Sequence, residues 1–206
     1  MFWFNYNNTI SLNKKWGLTN DVQLRTREWA SHWSQFALRT GITYKINPKF
    51  SAAAGFTWFG NVRYYNNEPL VADEWRPWQE LTFQIANNKR LFLQRLRLEE
   101  RFLQKVVNGK KTNDFENRER LRYRLEVGFH LSKKTELHIA NEVMGNINYI
   151  ADNRFFDQNR TFAFVNYKIS ASTFLQYQFL KIFQWQPAIN TMEDQNVFRF
   201  SVHQQF

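Results

Sequence analysis

The segment Phe115–Leu131, FENRERLRYRLEVGFHL, alternates between apolar and ionic side chains with a period of two. One set of alternate positions holds Leu121, Tyr123, Leu125, Val127, Phe129 and Leu131, and the other holds Glu116, Arg118, Arg120, Arg122, Arg124, Glu126 and His130. Because successive side chains of a strand point to opposite sides, this pattern predicts a strand with one apolar and one ionic face. A strand with these two faces suits a membrane barrel, in which the ionic face lines the interior and the apolar face meets lipid.

The last ten residues, VFRFSVHQQF, also alternate and end on an aromatic residue, Phe206. We expect Phe198, Phe200, Val202 and Phe206 to face lipid and to help recognition by the outer-membrane insertion machinery. The predicted location is the bacterial outer membrane, with outer-membrane lipid as a partner.

Composition agrees with a single barrel domain spanning residues 1–206. Aromatic residues make up 18 % of the chain, which is typical of barrels with aromatic girdles. No apolar run approaches the roughly 18 residues of a membrane-spanning helix. The net charge of +10 would also fit a nucleic-acid-binding protein, but the arginines lie on strand faces opposite apolar ones, so no nucleic acid is expected. The chain has no cysteine, which excludes disulfides.

Eleven alternating segments can be drawn, and most reach the roughly 9–11 residues that a tilted transmembrane strand needs. Five short connections (NKK, NPK, NNK, SKK and ISAS) alternate with longer ones near Asn61–Glu74, Lys105–Asp114, Gly145–Phe155 and Trp185–Gln195, apart from a short break near Trp29–Ser31. This pattern predicts an all-β, antiparallel up-and-down transmembrane barrel with a periplasmic C-terminus. Bacterial single-chain barrels have even strand counts, so ten to twelve strands are expected, with twelve favoured.

Two observations leave alternatives open. The segments Arg90–Val106 and Arg118–His130 are rich in Leu, Arg and Glu and allow a helical interpretation, although Tyr123, Val127 and Gly128 fit a helix poorly. The start MFWFNYNN lacks the features of a signal peptide, so we expect either a mature chain or a missing N-terminal segment.

The inward faces of the predicted strands carry more arginine than carboxylate. The candidate lumen residues, for anion binding or for an ion-pair network, are Arg95, Arg97, Glu99, Arg101, Arg118, Arg120, Arg122, Arg124, Glu80, Glu126 and Glu142. A hairpin centred near Gly109 would set Glu99 beside Arg120 and Arg97 beside Arg122. Neighbouring strands would then offer Glu80 to Arg97 and Glu142 to Arg124. Buried charges must be paired or hydrated, so both a plugged interior and an anion path are consistent with the pattern.

Other chemistry finds little support in the sequence. The four histidines have no tight metal-ligand spacing, and no serine-nucleophile, P-loop or dinucleotide motif occurs, so neither a metal nor a cofactor is expected. A lipid hydrolase or acyltransferase using His130 or His138 is the enzymatic alternative. Six tryptophans and phenylalanines near the predicted long loops favour an interfacial girdle: Trp29, Trp58, Phe59, Trp75, Trp78 and Trp185.

Several short motifs, taken in order, resemble a known family. They are KKWGLTNDVQLRTRE (Lys14–Glu28), RTGITYKI (Arg39–Ile46), AGFTWF (Ala54–Phe59), EWRPWQE (Glu74–Glu80), RLRLEERF (Arg95–Phe102), RLRYR (Arg120–Arg124) and FDQNR (Phe156–Arg160). Over nearly its whole length the chain is similar to an uncharacterised family of outer-membrane barrels of Bacteroidota, domain of unknown function 2490. The resemblance implies a Gram-negative, porin-like outer-membrane barrel without assigned activity, and no catalytic residues follow from it.

The functional hypothesis from the sequence is a monomeric small pore or binding barrel for anionic solutes, with an arginine-rich lumen. A structural or assembly-associated barrel with a plugged lumen is the first alternative. An enzyme that modifies outer-leaflet lipid is the second.

Overall fold

The computed structural model describes residues 1–27, 31–66, 68–148, 155–186 and 190–206, which form a closed β-barrel. The eleven strands are β1 (Phe2–Ser11), β2 (Trp16–Arg27), β3 (His32–Lys45), β4 (Phe50–Tyr65), β5 (Glu68–Ala86), β6 (Arg90–Val107), β7 (Lys110–His130), β8 (Thr135–Asn146), β9 (Phe156–Lys168), β10 (Thr173–Gln186) and β11 (Thr191–Gln205). The two segments that allowed a helical interpretation are strands β6 and β7. The described part of the chain contains no helix with the length and apolarity needed for a membrane crossing.

Sequence neighbours pair antiparallel around the barrel, and β1 closes it by pairing parallel with β11. In an up-and-down barrel with an odd number of strands, the first and last strands run in the same direction, so this seam must be parallel. Eleven strands lie within the predicted range of ten to twelve, although the favoured count of twelve is not what the described residues form. The seam sets Trp3 of β1 opposite Arg199 of β11.

The two faces of the barrel wall differ as the alternation predicts. On β7, Tyr123, Leu125 and Val127 are exposed on the outside, whereas Arg120 and Arg122 are buried inside. Every strand exposes a large apolar or aromatic side chain on the outside: Phe4, Val22, Leu38, Phe56, Leu81, Leu96, Leu125, Ile139, Tyr167, Phe179 and Phe200. An apolar outer surface around a polar interior is the arrangement of a transmembrane barrel, which confirms the predicted fold class.

The short connections are tight turns fixed by side-chain caps. Asn13 Oδ1 accepts hydrogen bonds from the backbone N–H groups of Lys15 and Trp16, each at 2.9 Å. Asn47, Asn87, Ser132 and Ser170 cap their turns in the same way. Such capping is why Asn and Ser mark these turns in the sequence. The C-terminus lies at this end of the barrel, since the Phe206 carbonyl accepts a hydrogen bond from the Ser11 N–H at 2.7 Å.

Two of the predicted long loops are wrong, because the strands continue through them. Strand β4 extends to Tyr65 and β5 begins at Glu68, while β6 and β7 are joined at Asn108 and Gly109. Asn108 and Gly109 have φ angles of 50° and 72°, the left-handed values that a two-residue hairpin requires. Strands β5, β6 and β7 span 19, 18 and 21 residues and therefore extend well past a membrane-crossing length. The predicted break near Trp29–Ser31 and the other two long loops lie partly outside the described residues.

Candidate functional site

The barrel encloses a cavity of about 570 Å³ whose lining is dominated by guanidinium groups. Eleven arginines line it: Arg25, Arg39, Arg76, Arg95, Arg97, Arg101, Arg120, Arg122, Arg124, Arg160 and Arg199. Four carboxylates share this lining, namely Asp21, Glu80, Glu126 and Glu142. Three more, Glu74, Glu99 and Asp157, contact the same arginines from the wall. Within the described part of the chain, the lumen therefore carries an excess of positive charge.

One half of the lumen, which we call the paired wall, consists of the inward-facing arginines and glutamates of β5–β8. Its centre is Glu99, which is only 1 % exposed. The Glu99 carboxylate lies 2.6 Å from the nearest guanidinium nitrogens of Arg120 and Arg122, and 3.2 Å from Arg76. Arg97 lies farther away, at 3.9 Å. Because several guanidinium groups surround one carboxylate, Glu99 holds β5, β6 and β7 together electrostatically.

Two further glutamates extend the paired wall on either side of Glu99. Glu142 accepts hydrogen bonds from Arg122 at 2.7 Å and from Arg95 at 2.6 Å. Glu80 contacts Arg97 at 2.6 Å and Arg95 at 3.5 Å. Arginine and glutamate thus alternate across neighbouring strands, and Arg95, Arg97 and Arg122 each share their charge between two carboxylates.

The two ends of the paired wall are closed by shorter clusters. At the long-strand end, Glu74 accepts a hydrogen bond from Arg101 at 2.8 Å and also pairs with Arg76. At the short-turn end, Glu126 pairs with Arg124 and lies 2.8 Å from His138 Nδ1. These contacts place a carboxylate beside every cavity-lining arginine of β5–β8.

The predicted register between β6 and β7 is the one that the structure contains. Glu99 lies opposite Arg120, and Arg97 lies opposite Arg122. Glu80 also faces Arg97, as expected. Glu142 lies opposite Arg124 in the strand register, but its carboxylate contacts Arg95 and Arg122 instead. Long side chains on one sheet face reach diagonal neighbours, so the contact need not follow the direct pair.

Two predicted lumen residues, Glu99 and Arg118, are absent from the cavity lining; Glu99 lies buried in the wall behind it, whereas Arg118 lies at the end of the barrel. Arg118 forms a two-point contact with Glu116, at 2.9 Å and 3.0 Å, where β7 extends toward the Asn108 hairpin. Both side chains remain partly exposed, at 28 % and 32 %. Arg118 thus shares the ionic face of β7 but lies beyond the cavity.

The opposite half of the lumen contains a second group, which we call the Trp3 cluster: Trp3, Arg25, Arg160 and Arg199. The guanidinium carbons of the three arginines lie 4.1 Å, 5.7 Å and 4.9 Å, respectively, from the centre of the Trp3 ring. None of the ion pairs among the described residues includes these three arginines. Here a tryptophan face, which attracts cations, takes the position that a carboxylate holds on the paired wall.

Aromatic rings support arginines elsewhere in the lumen too. Arg76 lies 4.2 Å from the ring centre of Phe59, and Arg97 lies 4.6 Å from that of Trp78. Trp78 fits inside because two glycines face it, and a Cβ added to Gly55 would come within 2.5 Å of its ring. The prediction that these aromatics form an interfacial girdle is therefore wrong for Phe59 and Trp78.

Of the other four residues predicted to form the girdle, two lie at the outer surface, one is buried and one is not described. Trp75 is exposed on the outer surface, and the half-buried Trp58 packs against it with ring centres 6.4 Å apart, as expected for a girdle. Trp185 is buried, and Trp29 lies outside the described residues.

Sequence reasoning misses several members of the site. Trp3, Asp157 and Arg160 are not among its inward-facing candidates, and Glu74 is not recognised as a partner of Arg76 and Arg101. Glu74 lies two positions from Arg76, which lies two positions from Trp78, so strict period-two alternation along EWRPWQE would have found it. Strand β1 offered no such signal, because aromatic and asparagine residues fall on both of its faces.

The chemistry available in this lumen is the binding of anions and the formation of ion pairs. Guanidinium groups donate hydrogen bonds in a planar fork that matches carboxylate and phosphate oxygens. In the described residues, no group of three or more histidine, aspartate or glutamate side chains is arranged to hold a metal ion.

Comparison with solved structures shows that this fold is similar to that of a porin. A NanC porin is similar with a TM-score of 0.58 and 12 % identity, over 97 % of this chain and 91 % of the porin. The outer-membrane protein OmpT of Vibrio cholerae matches with a TM-score of 0.48 and 10 % identity, over 89 % of this chain and 59 % of OmpT.

Sequence comparisons give a family without an assigned activity. No functionally curated protein matches the chain significantly. A family model described as "Protein of unknown function (DUF2490)" matches residues 1–193, which is most of the chain and includes the whole paired wall, while Arg199 of the Trp3 cluster lies beyond the match. The chain therefore belongs to the DUF2490 family, as its sequence motifs indicate.

Proposed function

We propose that this protein is an outer-membrane barrel that binds and conducts small anionic solutes through its lumen. The observation that carries the proposal is the excess of arginine over carboxylate around the 570 Å³ cavity. A lumen with uncompensated guanidinium charge lowers the barrier for anions and raises it for cations. The Trp3 cluster is the part of the lumen where this charge is least compensated.

The membrane setting of the proposal is supported by the outer surface. Each strand exposes apolar or aromatic side chains, and outside residues such as Leu38 and Leu81 are more than half exposed. In water such a surface would favour aggregation, whereas in a bilayer it meets lipid. By the usual orientation of these barrels, the short turns and the C-terminus lie on the periplasmic side. A monomer, inserted by the outer-membrane assembly machinery, is the form we propose.

A structural barrel with a plugged lumen is the second candidate, and the paired wall is the observation in its favour. Glu99, Glu142 and Glu80 join neighbouring strands through shared arginines, which narrows and stiffens the interior. Barrels of this size leave little room once side chains project inward. For the third alternative, an enzyme acting on lipid, the structure places Glu136 beside both histidines, 2.9 Å from His130 Nδ1 and 3.3 Å from His138 Nε2, but the sequence offers no serine-nucleophile motif to accompany them.

Planar-bilayer recordings separate the two candidates. The refolded protein is inserted between solutions of unequal KCl concentration, and the reversal potential reports which ion passes more easily. We expect a small conductance with anion preference that strengthens at low salt, where charge is less screened. The double variant Arg25→Gln/Arg199→Gln should reduce this preference, and Arg90→Gln on the exposed outer face is the matched control. Absence of conductance supports the plugged barrel, and cation preference contradicts the charge argument.

A further inference from the structure

We infer that the Trp3 cluster is a binding site for one oxyanion group, a phosphate or a carboxylate. This inference rests on the proposed function in one respect only, namely that anions enter the lumen. It requires neither that the lumen be open at both ends nor that it conduct.

Strand pairing brings the cluster together at the seam of the barrel. Trp3 has Arg199 as its direct partner on β11 and Arg25 as its direct partner on β2. All three side chains therefore project from the same face of three adjacent strands. Arg160 reaches the same indole from β9. This convergence depends on the parallel β1–β11 pairing, which aligns the two flanking arginines on either side of one tryptophan.

The hydrogen-bond donors of the cluster are only partly used by the protein. Among the described residues, the Arg199 guanidinium forms no hydrogen bond and no ion pair. The Nε atoms of Arg25 and Arg199 are both buried without a partner in this set. Arg25 donates its two Nη groups to Gln35 and Gln23, at 2.5 Å and 2.6 Å, and Arg160 donates Nε to Gln158 at 2.7 Å.

Those partners satisfy hydrogen bonds without cancelling charge. Glutamine oxygens are neutral, so three like charges remain around one ring. The carboxylate on the neighbouring part of the wall, Asp21, contacts Arg39 at 3.1 Å and Gln23 at 2.7 Å through Oδ2, and it forms no ion pair with these three arginines. A buried group of like charges without a carboxylate in direct contact is unfavourable, and a bound anion relieves it.

The surroundings of the cluster make a bound anion more strongly attracted than it would be in water. Trp3 packs in one apolar cluster with Ile182 and Val197, which are 1 % and 0 % exposed. This apolar backing lowers the local dielectric on the wall side, so charge–charge attraction toward the cavity is weakly screened. The wall thus combines cationic donors, an aromatic base and poor hydration in one place.

An oxyanion fits these donors better than a halide does. Two oxygens of a carboxylate or phosphate accept two parallel N–H bonds from one guanidinium, whereas chloride presents a single centre. Residual N–H donors on two or three converging arginines can therefore all be used by one phosphate group. The site should accordingly prefer phosphate and acetate to chloride.

Isothermal titration of the full chain, folded in detergent micelles, tests the site with inorganic phosphate as the probe. Acetate and chloride are titrated in parallel at the same ionic strength. We expect saturable phosphate binding, competition by acetate and weaker competition by chloride. Heat release without saturation, or equal competition by chloride, overturns the inference.

Variants then locate the binding. Arg199→Gln should weaken phosphate binding at least about ten-fold, the effect of removing one charged hydrogen-bonding partner. Arg199→Lys keeps the charge but loses the fork, so its affinity should lie between that of Arg199→Gln and the unaltered protein. Arg90→Gln, the same change on the outer surface, should leave the affinity unchanged. If Arg199→Gln does not fold, Arg160→Gln replaces it with the same expectation.

The bilayer recordings and the titrations can fail independently. Suppose that the barrel conducts anions selectively and that neither Arg199→Gln nor Arg160→Gln changes its affinity for phosphate. That result overturns the Trp3 site and leaves the proposed function intact. A silent bilayer combined with phosphate binding that Arg199→Gln abolishes supports the site and removes conduction from the proposed function.

Discussion

On the paired wall each cavity-lining arginine contacts a carboxylate. On the opposite wall Arg25, Arg160 and Arg199 surround Trp3. The hydrogen bonds that Arg25 and Arg160 donate there go to neutral glutamines. The residue type is the same on both walls, but its electrostatic setting differs. Ion pairs on the paired wall hold four adjacent strands in register. The Trp3 cluster instead keeps positive charge directed at the cavity. The comparison separates arginines that stabilise the barrel from arginines that are available to a ligand.

The difference has an energetic basis. Desolvating a charge costs several kcal/mol, and a close carboxylate offsets most of that cost when the geometry is good. A tryptophan face offsets less, about 0.5–2 kcal/mol depending on how far the cation is desolvated. Arginines held only by an aromatic ring and neutral amides are therefore stabilised less than those of the paired wall, and they retain the capacity to attract an anion.

The largest effect should follow removal of the central carboxylate on the paired wall. Glu99→Gln leaves Arg76, Arg120 and Arg122 close together without the charge that they share. Breaking a buried ion pair from one side typically costs about 3–5 kcal/mol. We expect a loss of this size in the free energy of unfolding, measured by urea titration of the barrel in lipid vesicles.

The matched control is Glu116→Gln, which removes a carboxylate whose arginine partner, Arg118, lies on the same strand, β7. Glu116 is about one-third exposed and contacts Arg118 near the end of β7. Exposed pairs contribute about 1 kcal/mol or less, so this variant should remain close to the unaltered protein. Equal losses from the two variants would show that the paired wall does not stabilise the barrel as a buried network.

A second substitution tests whether the two walls are correctly described as the inside of the barrel. Leu125 is 41 % exposed on the outer face of β7, between the inward Arg122 and Glu126. An arginine facing lipid near the bilayer centre costs about 2–4 kcal/mol. Leu125→Arg should therefore destabilise the vesicle-inserted barrel by that amount.

Depth in the membrane supplies the control for this substitution. Leu131 is 60 % exposed at the short-turn end of the same strand. Charged residues near the interface cost about 0–1 kcal/mol, so Leu131→Arg should be nearly neutral. A large cost at Leu131 and none at Leu125 would invert the inside–outside assignment.

The paired wall could be predicted from the sequence, whereas the Trp3 cluster could not. Alternation along β6 and β7 fixes which side chains share a face, and the Asn108–Gly109 turn fixes their register, so the Glu99–Arg120 partnership follows from local information. The Trp3 cluster depends on pairing between β1 and β11, two strands nearly 200 residues apart, and on the direction in which they pair. No local pattern specifies that closure.

Other errors have local causes. Strands β4–β7 continue into polar segments that look like loops, because hairpins extending beyond lipid no longer need an apolar outer face. Trp78 lies inside because it alternates with Arg76 and Glu80 on the inward face of β5, and Gly41 and Gly55 leave space for its ring. The space left by the two glycines is visible only once the register of β3, β4 and β5 is known. The sequence thus predicts elements and faces well, and it predicts poorly those features that depend on contacts between distant strands.

The smallest effect, and the most direct test of the comparison, comes from making one substitution on both walls. Arg122→Gln leaves Glu99 with Arg120 and Arg76, and Glu142 with Arg95, so no carboxylate loses all its partners. The loss of two charged hydrogen bonds should still cost about 1.5–3 kcal/mol in the free energy of unfolding. Arg199→Gln removes no hydrogen bond to a described residue and reduces repulsion with Arg25 and Arg160.

Arg199→Gln also loses the contact with the Trp3 ring, and this loss opposes the gain from reduced repulsion. The net effect of Arg199→Gln on the free energy of unfolding in phosphate-free buffer should therefore lie within about 0.5 kcal/mol of zero. The two variants are compared by urea titration in the same vesicles. The titration is then repeated with phosphate, which should stabilise the unaltered protein and Arg122→Gln but not Arg199→Gln, because a ligand that binds only the folded state raises its stability. A cost for Arg199→Gln as large as that for Arg122→Gln would mean that both walls stabilise the barrel equally. In that case the Trp3 cluster would contribute to the packing of the barrel and would not be an anion-binding site.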